Sequence, residues 1–247
     1  MSFMRGAVKR LEVSHLTRKE GDRSILDDVS FCLYDGGISV ILGDSYSCKN
    51  ALLRTLADRQ AHRLGEVDFY DARGQEYSPV RSFCPAGEAV SGALTVREHF
   101  LLGCAMVGIG RSTASLRTDR LIDRFGLQNE KDIAVSRLDE EDRRLIAVLT
   151  ALAPLPDMVF LEEPTTGLSD GAIVKLWDHI REIRGKTMIV LTSRYVQEAE
   201  NLGGQILIAA GPGIVIGGSA QEILSATGKP DLMSAYMAAP ARPAHKG

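Results

Sequence analysis

The sequence predicts an α/β fold, a parallel sheet covered by helices with a helical insert, and three features carry that prediction. GISVILG (37–43), MVFL (158–161) and TMIVLT (187–192) are continuous apolar runs of the kind found in strands buried on both faces. Between the last two lies an amphipathic helical pattern, AIVKLWDHIREIRG (172–185), which gives strand–helix–strand alternation. Between the first and second lie, after one helix, three further successive segments of helical spacing, which form an insert.

Taken in order, LEVSHL (11–16) and VSFCLY (29–34) read as strands, and GISVILG leads at once into the helix KNALLRTLADRQ (49–60). A loop-rich stretch follows. TVREHFLLGCAMVG (95–108), SLRTDRLIDRFGL (115–127) and EEDRRLIAVLTALA (140–153) are the three helices of the insert. After TMIVLT, QILIAAGPGIVIGG (205–218) reads as a β-rich pair and AQEILSAT (220–227) as a short helix. The expected organisation is one unit over 1–235, with a core of 1–87 and 150–228, an insert of 88–149, and a loose tail over 236–247.

Composition excludes several classes. With 247 residues, 45% apolar and 25% charged, the chain can bury a sizeable core and is neither disordered nor fibrous. A net charge of -3 without a basic run argues against nucleic acid as a partner, and the pair Arg143-Arg144 reads as solvated surface. Cys32, Cys48, Cys84 and Cys104 lack metal-ligand spacing and suit reduced thiols in a cytosol-like compartment; no separate metal site is expected. No run reaches the roughly 18 apolar residues of a membrane span, and MSFMRGAVKR lacks the apolar segment of a secretion leader. Any membrane role is therefore expected to run through a partner.

GDSYSCKN (43–50) falls where the GISVILG strand hands over to a helix. A phosphate-binding loop has the pattern G-x-x-x-x-G-K-[ST]: glycines let main-chain N–H groups approach phosphate, the lysine reaches the terminal phosphates, and the hydroxyl holds Mg²⁺. Gly43 and Lys49 keep that pattern, while Cys48 replaces the second glycine and Asn50 the hydroxyl. Gly43 and Lys49 alone would equally describe an ordinary strand-to-helix turn.

MVFLEEPTTGL (158–168), with an apolar strand, two acids and a Pro-Thr and Gly-Leu turn, resembles the second phosphate-site motif of ATP-binding cassette proteins. SILDDVSFCLYDGGISVILG before the loop, FCPAGEAVSGALTVREHF after it and ALAPLPDMVFLEEP extend the resemblance to the nucleotide-binding domain of ABC transporters over about residues 9–220. LTVREHF is most similar to exporters of lipids or drugs. The resemblance implies a P-loop NTPase-like domain with an N-terminal antiparallel β-subdomain, a RecA-like parallel-sheet core and an inserted helical subdomain. It also implies ATP and Mg²⁺ as ligands, a separate transmembrane subunit as partner, a head-to-tail homo- or heterodimer, and a cytoplasmic, membrane-peripheral location.

The departures fall on residues with chemical jobs in that family. Glu20 stands where an aromatic ring would stack on adenine, and Ala86 where a glutamine would touch Mg²⁺. The signature segment, Leu-Ser-Gly-Gly-Gln in the family, aligns with Leu138-Asp139-Glu140-Glu141-Asp142. Glu162 replaces the metal-supporting aspartate, Ser169 a loop aspartate and Ser193 the switch histidine, while Glu163 keeps the position of the catalytic base. One carboxylate 4 Å from a γ-phosphate opposes binding by roughly 4 kcal/mol at an effective dielectric near 20. The Cβ atoms of Tyr46 and Cys48 are expected to distort or occlude the loop.

Gly43, Lys49, Asn50 and Glu162 are thus expected to form a vestigial ATP and Mg²⁺ site, with Glu163 the remaining catalytic candidate. The favoured function is a pseudo-ATPase, a scaffold or regulatory subunit docking on a membrane subunit; the rival is a weak or asymmetric ATPase. A soluble non-transport ABC protein ranks third, since there is no duplicated cassette, coiled-coil insert or basic arm. Simpler roles stand beside these. The acids of 139–142 suit the first turn of a helix, with Ser136 and Asp139 in a capping box. Lys49 suits a salt bridge at a helix start, and Glu163 the shape of its turn. His99, His179 and Trp177 suit packing.

Overall fold

The computed structural model describes residues 8–34, 37–58, 63–87 and 90–239. Two sheets organise it. Strands β1 (Arg10–Glu20), β2 (Arg23–Tyr34) and β4 (Leu64–Tyr70) form an antiparallel sheet in the order β2-β1-β4. The second sheet has the order β5-β6-β7-β3-β8-β9 and comprises β3 (Ile38–Leu42), β5 (Arg81–Cys84), β6 (Met158–Glu162), β7 (Met188–Ser193), β8 (Gln205–Ala210) and β9 (Gly213–Gly218). Its pairings are parallel except β8 with β9. The α/β class and the antiparallel N-terminal part are both present.

The central strands β3, β6 and β7 are buried at every position, because helices cover one face and the antiparallel sheet with α1 (Lys49–Ala57) covers the other. Alternation divides their side chains between two cores. Val159, Leu161, Ile189 and Leu191 pack with Phe100, Ile146 and Leu176, whereas Met158, Phe160 and Val190 pack with Leu52, Leu56 and Leu33.

Helices α2 (Val96–Met106), α3 (Arg111–Phe125) and α4 (Glu140–Leu152) make up the insert, and α4 also contacts β5 and β6. α5 (Asp170–Ile183) links β6 to β7, and α7 (Ala220–Thr227) follows β9. Four elements lie where the sequence pattern is weak: β4 and β5 in the loop-rich stretch, α6 (Val196–Leu202), and α8 (Leu232–Ala238). α8 occupies residues 236–238 of the expected tail; residues 240–247 lie outside the described residues.

The register positions the site. Leu42 pairs with Ser193 and Glu162 with Thr192, so the carboxyl ends of β3, β6 and β7 lie side by side. The loop after β3, the Glu162-Glu163 pair and the Ser193-Arg194 turn therefore converge at the edge where open α/β sheets bind ligands.

Candidate functional site

The loop at 43–48 is folded upon itself. Gly43 donates its N–H to Ser193 O (3.1 Å), and an added Cβ there would lie 2.2 Å from Ser47 Oγ. Asp44 then closes the turn: its carboxylate accepts from Tyr46 N (2.9 Å), and its carbonyl accepts from Ser47 Oγ (2.9 Å) and Ser47 N (3.4 Å). Cys48 N donates to Gly211 O (2.7 Å). The main-chain donors of 46, 47 and 48, which a phosphate loop would direct at its anion, are thus bound within the chain.

Tyr46 is 86% exposed, and it is Asp44 and Ser47 that close the turn. Cys48 is buried against Gly213 O, and burial pushes its thiol up to about 12.

Lys49 opens α1 and is only 2% exposed; its Nζ donates to Glu163 Oε1 at 2.7 Å. Asn50 Nδ2 reaches the same oxygen at 3.3 Å, and Arg194 Nε meets Oε2 at 3.0 Å. Burial pushes the Glu163 carboxyl up, but the contacts from Lys49, Asn50 and Arg194 outweigh it and leave the group below the ordinary glutamate value. Glu162 is fully buried, and Arg54 grips it with Nε on Oε1 at 2.5 Å and Nη2 on Oε2 at 2.9 Å. Ala86 N donates to Oε2 at 3.0 Å.

These pairings bear on the expected Mg²⁺. A hard divalent cation needs several free oxygen ligands. Both oxygens of Glu162 and both of Glu163 already accept from cations, while the neutral Asn50 Oδ1 is buried without a partner. A metal–triphosphate at these side chains would compete with ion pairs already made within the chain.

The acids of the signature-like segment are partly turned inward. Asp139 is the N-cap of α4 and accepts from Asp142 N (2.8 Å). Ser136 takes no part, so the expected Ser136–Asp139 capping box is replaced by a simple Asp139 cap. Glu141 accepts from Ser169 N (3.0 Å) and Oγ (2.5 Å) at the start of α5. Burial first, then the nearby Asp139, Glu130 and Glu141, raise the Asp142 carboxyl. Glu140 is exposed beside the cleft formed with Ala86, Gly87 and Thr166, and Leu138 is half-buried with its carbonyl held by Arg143. Replacing Asp139 with Ala is expected to cost about 1 kcal/mol, read as a lower midpoint in urea unfolding.

Arg144 overturns its reading as solvated surface. It is 8% exposed, donating to Pro85 O (2.6 Å), Glu162 O (2.6 Å) and Glu163 O (3.1 Å). It ties the signature helix to the end of β6. Glu20 is exposed and paired with Arg18, with no ring at the adenine position.

Asp44, Arg54, Arg144 and Arg194 are the site residues that pattern reading missed. Only Arg54 had a local signal, lying four residues after Asn50 on the same face of α1.

The family model described as ABC transporter matches residues 26–166. Among curated relatives, the Streptomyces coeruleorubidus daunorubicin resistance ATP-binding protein DrrA3 is 28% identical over 224 residues, covering 88% of this chain and 71% of its own length. The mouse ABC-type organic anion transporter ABCA8B is 28% identical over 221 residues, covering 89% of this chain. The chain spans 14% of the length of that relative. Among solved structures, an ATP-binding subunit of an ABC transporter superposes with a TM-score of 0.83 at 19% identity, covering 92% of this chain and 98% of the other. A nucleotide-free ATP-binding cassette gives 0.70 at 16% identity, covering 93% and 98%.

Proposed function

The chain belongs to the ABC transporter family, and from that premise we propose that it serves a transporter as a pseudo-ATPase, a scaffold or regulatory subunit docking on a separate membrane-spanning subunit. One observation carries the reading: the charges that would hold a nucleotide are already matched within the chain. Lys49 is on Glu163, and Arg54 stands on Glu162 where Mg²⁺ would be sought. A triphosphate would have to break these contacts and reopen the Asp44 turn before gaining any of its own. Among the described residues no helix is long and apolar enough to cross a membrane; in this reading the chain sits on the cytoplasmic side of a membrane-spanning subunit. Pairing with a second cassette, identical or not, belongs to the same reading.

Calorimetric titration with ATP, with and without Mg²⁺, tests it. The expected result is no saturable binding tighter than about 1 mM, the level near −4 kcal/mol. Tight binding overturns the scaffold reading. A weak or asymmetric ATPase is the second reading, favoured by the retained Lys49 and Glu163, which lie within reach of one another. Hydrolysis that disappears on Glu163→Gln establishes it.

A further inference from the structure

A cavity of about 540 Å³ lies between α3 and α5, away from the loop at 43–50. Its charge is one-sided. Arg117, Arg120, Arg124 and Lys186 line it against a single carboxylate, Glu182, in a chain whose net charge is -3. Glu182 is matched by Arg124, and Arg117 is held by the Pro154 carbonyl. The side chains of Arg120 and Lys186 make no hydrogen bond or ion pair among the described residues, so two cations line the cavity unmatched.

The inner wall has different chemistry. Leu121, Leu152 and Ile183 are buried there, and Leu155 holds a left-handed backbone (φ 42°) where the chain turns out of α4. His179 is 8% exposed, lines the cavity, and has its Nδ1 buried without a hydrogen-bond partner. Its ring stands edge-on to Phe125 at 5.6 Å, which fixes its orientation. A buried polar atom left unpaired carries a desolvation cost that a ligand atom or water can relieve. The volume falls within the usual range of small-molecule sites, roughly 300–1,000 Å³, which are mostly apolar with a few placed polar groups.

We propose that this cavity binds a small amphipathic anion, a phosphate or carboxylate head on a hydrocarbon body. Arg120 and Lys186 take the head at the mouth, and the body lies against Leu155 and Ile183. Inorganic phosphate would share the head contacts but leave the apolar wall in water. A cationic amphiphile would fill the wall and meet repulsion at the mouth. The proposal does not depend on the state of the nucleotide site.

The test uses the full chain and octyl phosphate, titrated by calorimetry beside inorganic phosphate and octyltrimethylammonium. Saturable 1:1 binding of octyl phosphate is expected, with inorganic phosphate and octyltrimethylammonium each weaker by about tenfold or more. The double variant Arg120→Glu, Lys186→Glu changes exposed positions, should keep its melting temperature, and is expected to lose about tenfold in octyl phosphate affinity. The ring ¹⁵N resonances of His179 should shift on titration. Absence of saturable binding, unchanged affinity in the double variant, or an unmoved His179 signal overturns the proposal. Inorganic phosphate binding as tightly as octyl phosphate overturns the apolar part of the site.

Discussion

Glu163→Met is expected to lower the free energy of unfolding by about 3–5 kcal/mol, because it leaves the Lys49 ammonium buried without its partner. Lys49 is 2% exposed and cannot turn to water, whereas Arg194 can. The double variant Lys49→Met, Glu163→Met removes both charges at once and is expected to recover most of the loss. Urea unfolding of the two single variants and the double variant gives the coupling directly. A cost under about 1 kcal/mol for Glu163→Met would mean that Lys49 is not bound to this partner and remains available to phosphate. The pH dependence has a definite sign. Since the folded Glu163 carboxyl lies below its ordinary value, the stabilisation is in place above the unfolded-state pKa. It is lost as the pH falls through the lowered folded value, and the double variant should lack that acid-side loss.

Much of the fold was legible because burial on both faces leaves a strong mark. The runs around 38–42, 158–162 and 188–193 could be little else than central strands. β4 and β5 were not legible, since LGEVDFY is mostly exposed or half-buried and RSFC is four residues long at a sheet edge. The site divides in the same way. Gly43, Lys49, Glu162 and Glu163 stood out by spacing, and a salt-bridged Lys49 was already one of the roles open to it. Spacing could not show that Arg54 would meet Glu162 across 108 positions, or Arg194 meet Glu163 from the end of the neighbouring strand. Charge alone left two roles open for four acids in a row, opposition to a γ-phosphate or the first turn of a helix, and Asp139 and Glu141 accept hydrogen bonds within the chain. Which way a carboxylate points is decided by the helix ends it can cap.

Arg144→Met is expected to cost about 2–4 kcal/mol, since it strips partners from carbonyls at the buried end of β6. The guanidinium holds Glu162 O, Glu163 O and Pro85 O together, and methionine fills the space without a donor. The consequence should reach the ion pairs. Glu163 sits at φ 42°, a left-handed conformation costing on the order of 1 kcal/mol in a non-glycine residue. Besides Arg144, Thr192 holds it there by accepting from Glu163 N. Without Arg144 the 162–165 turn has reason to relax, and Lys49 loses the fixed geometry of its partner. Hydrogen exchange should therefore quicken at 162–165 and over the first turn of α4, together with the fall in stability. Arg143→Met is the control. Arg143 bonds the Leu138 carbonyl from a half-buried position, so its loss should cost about 1 kcal/mol and leave exchange at 162–165 unchanged. Equal effects at the two positions would show that charge near the helix start, and not the buried tether, holds the signature helix to the sheet.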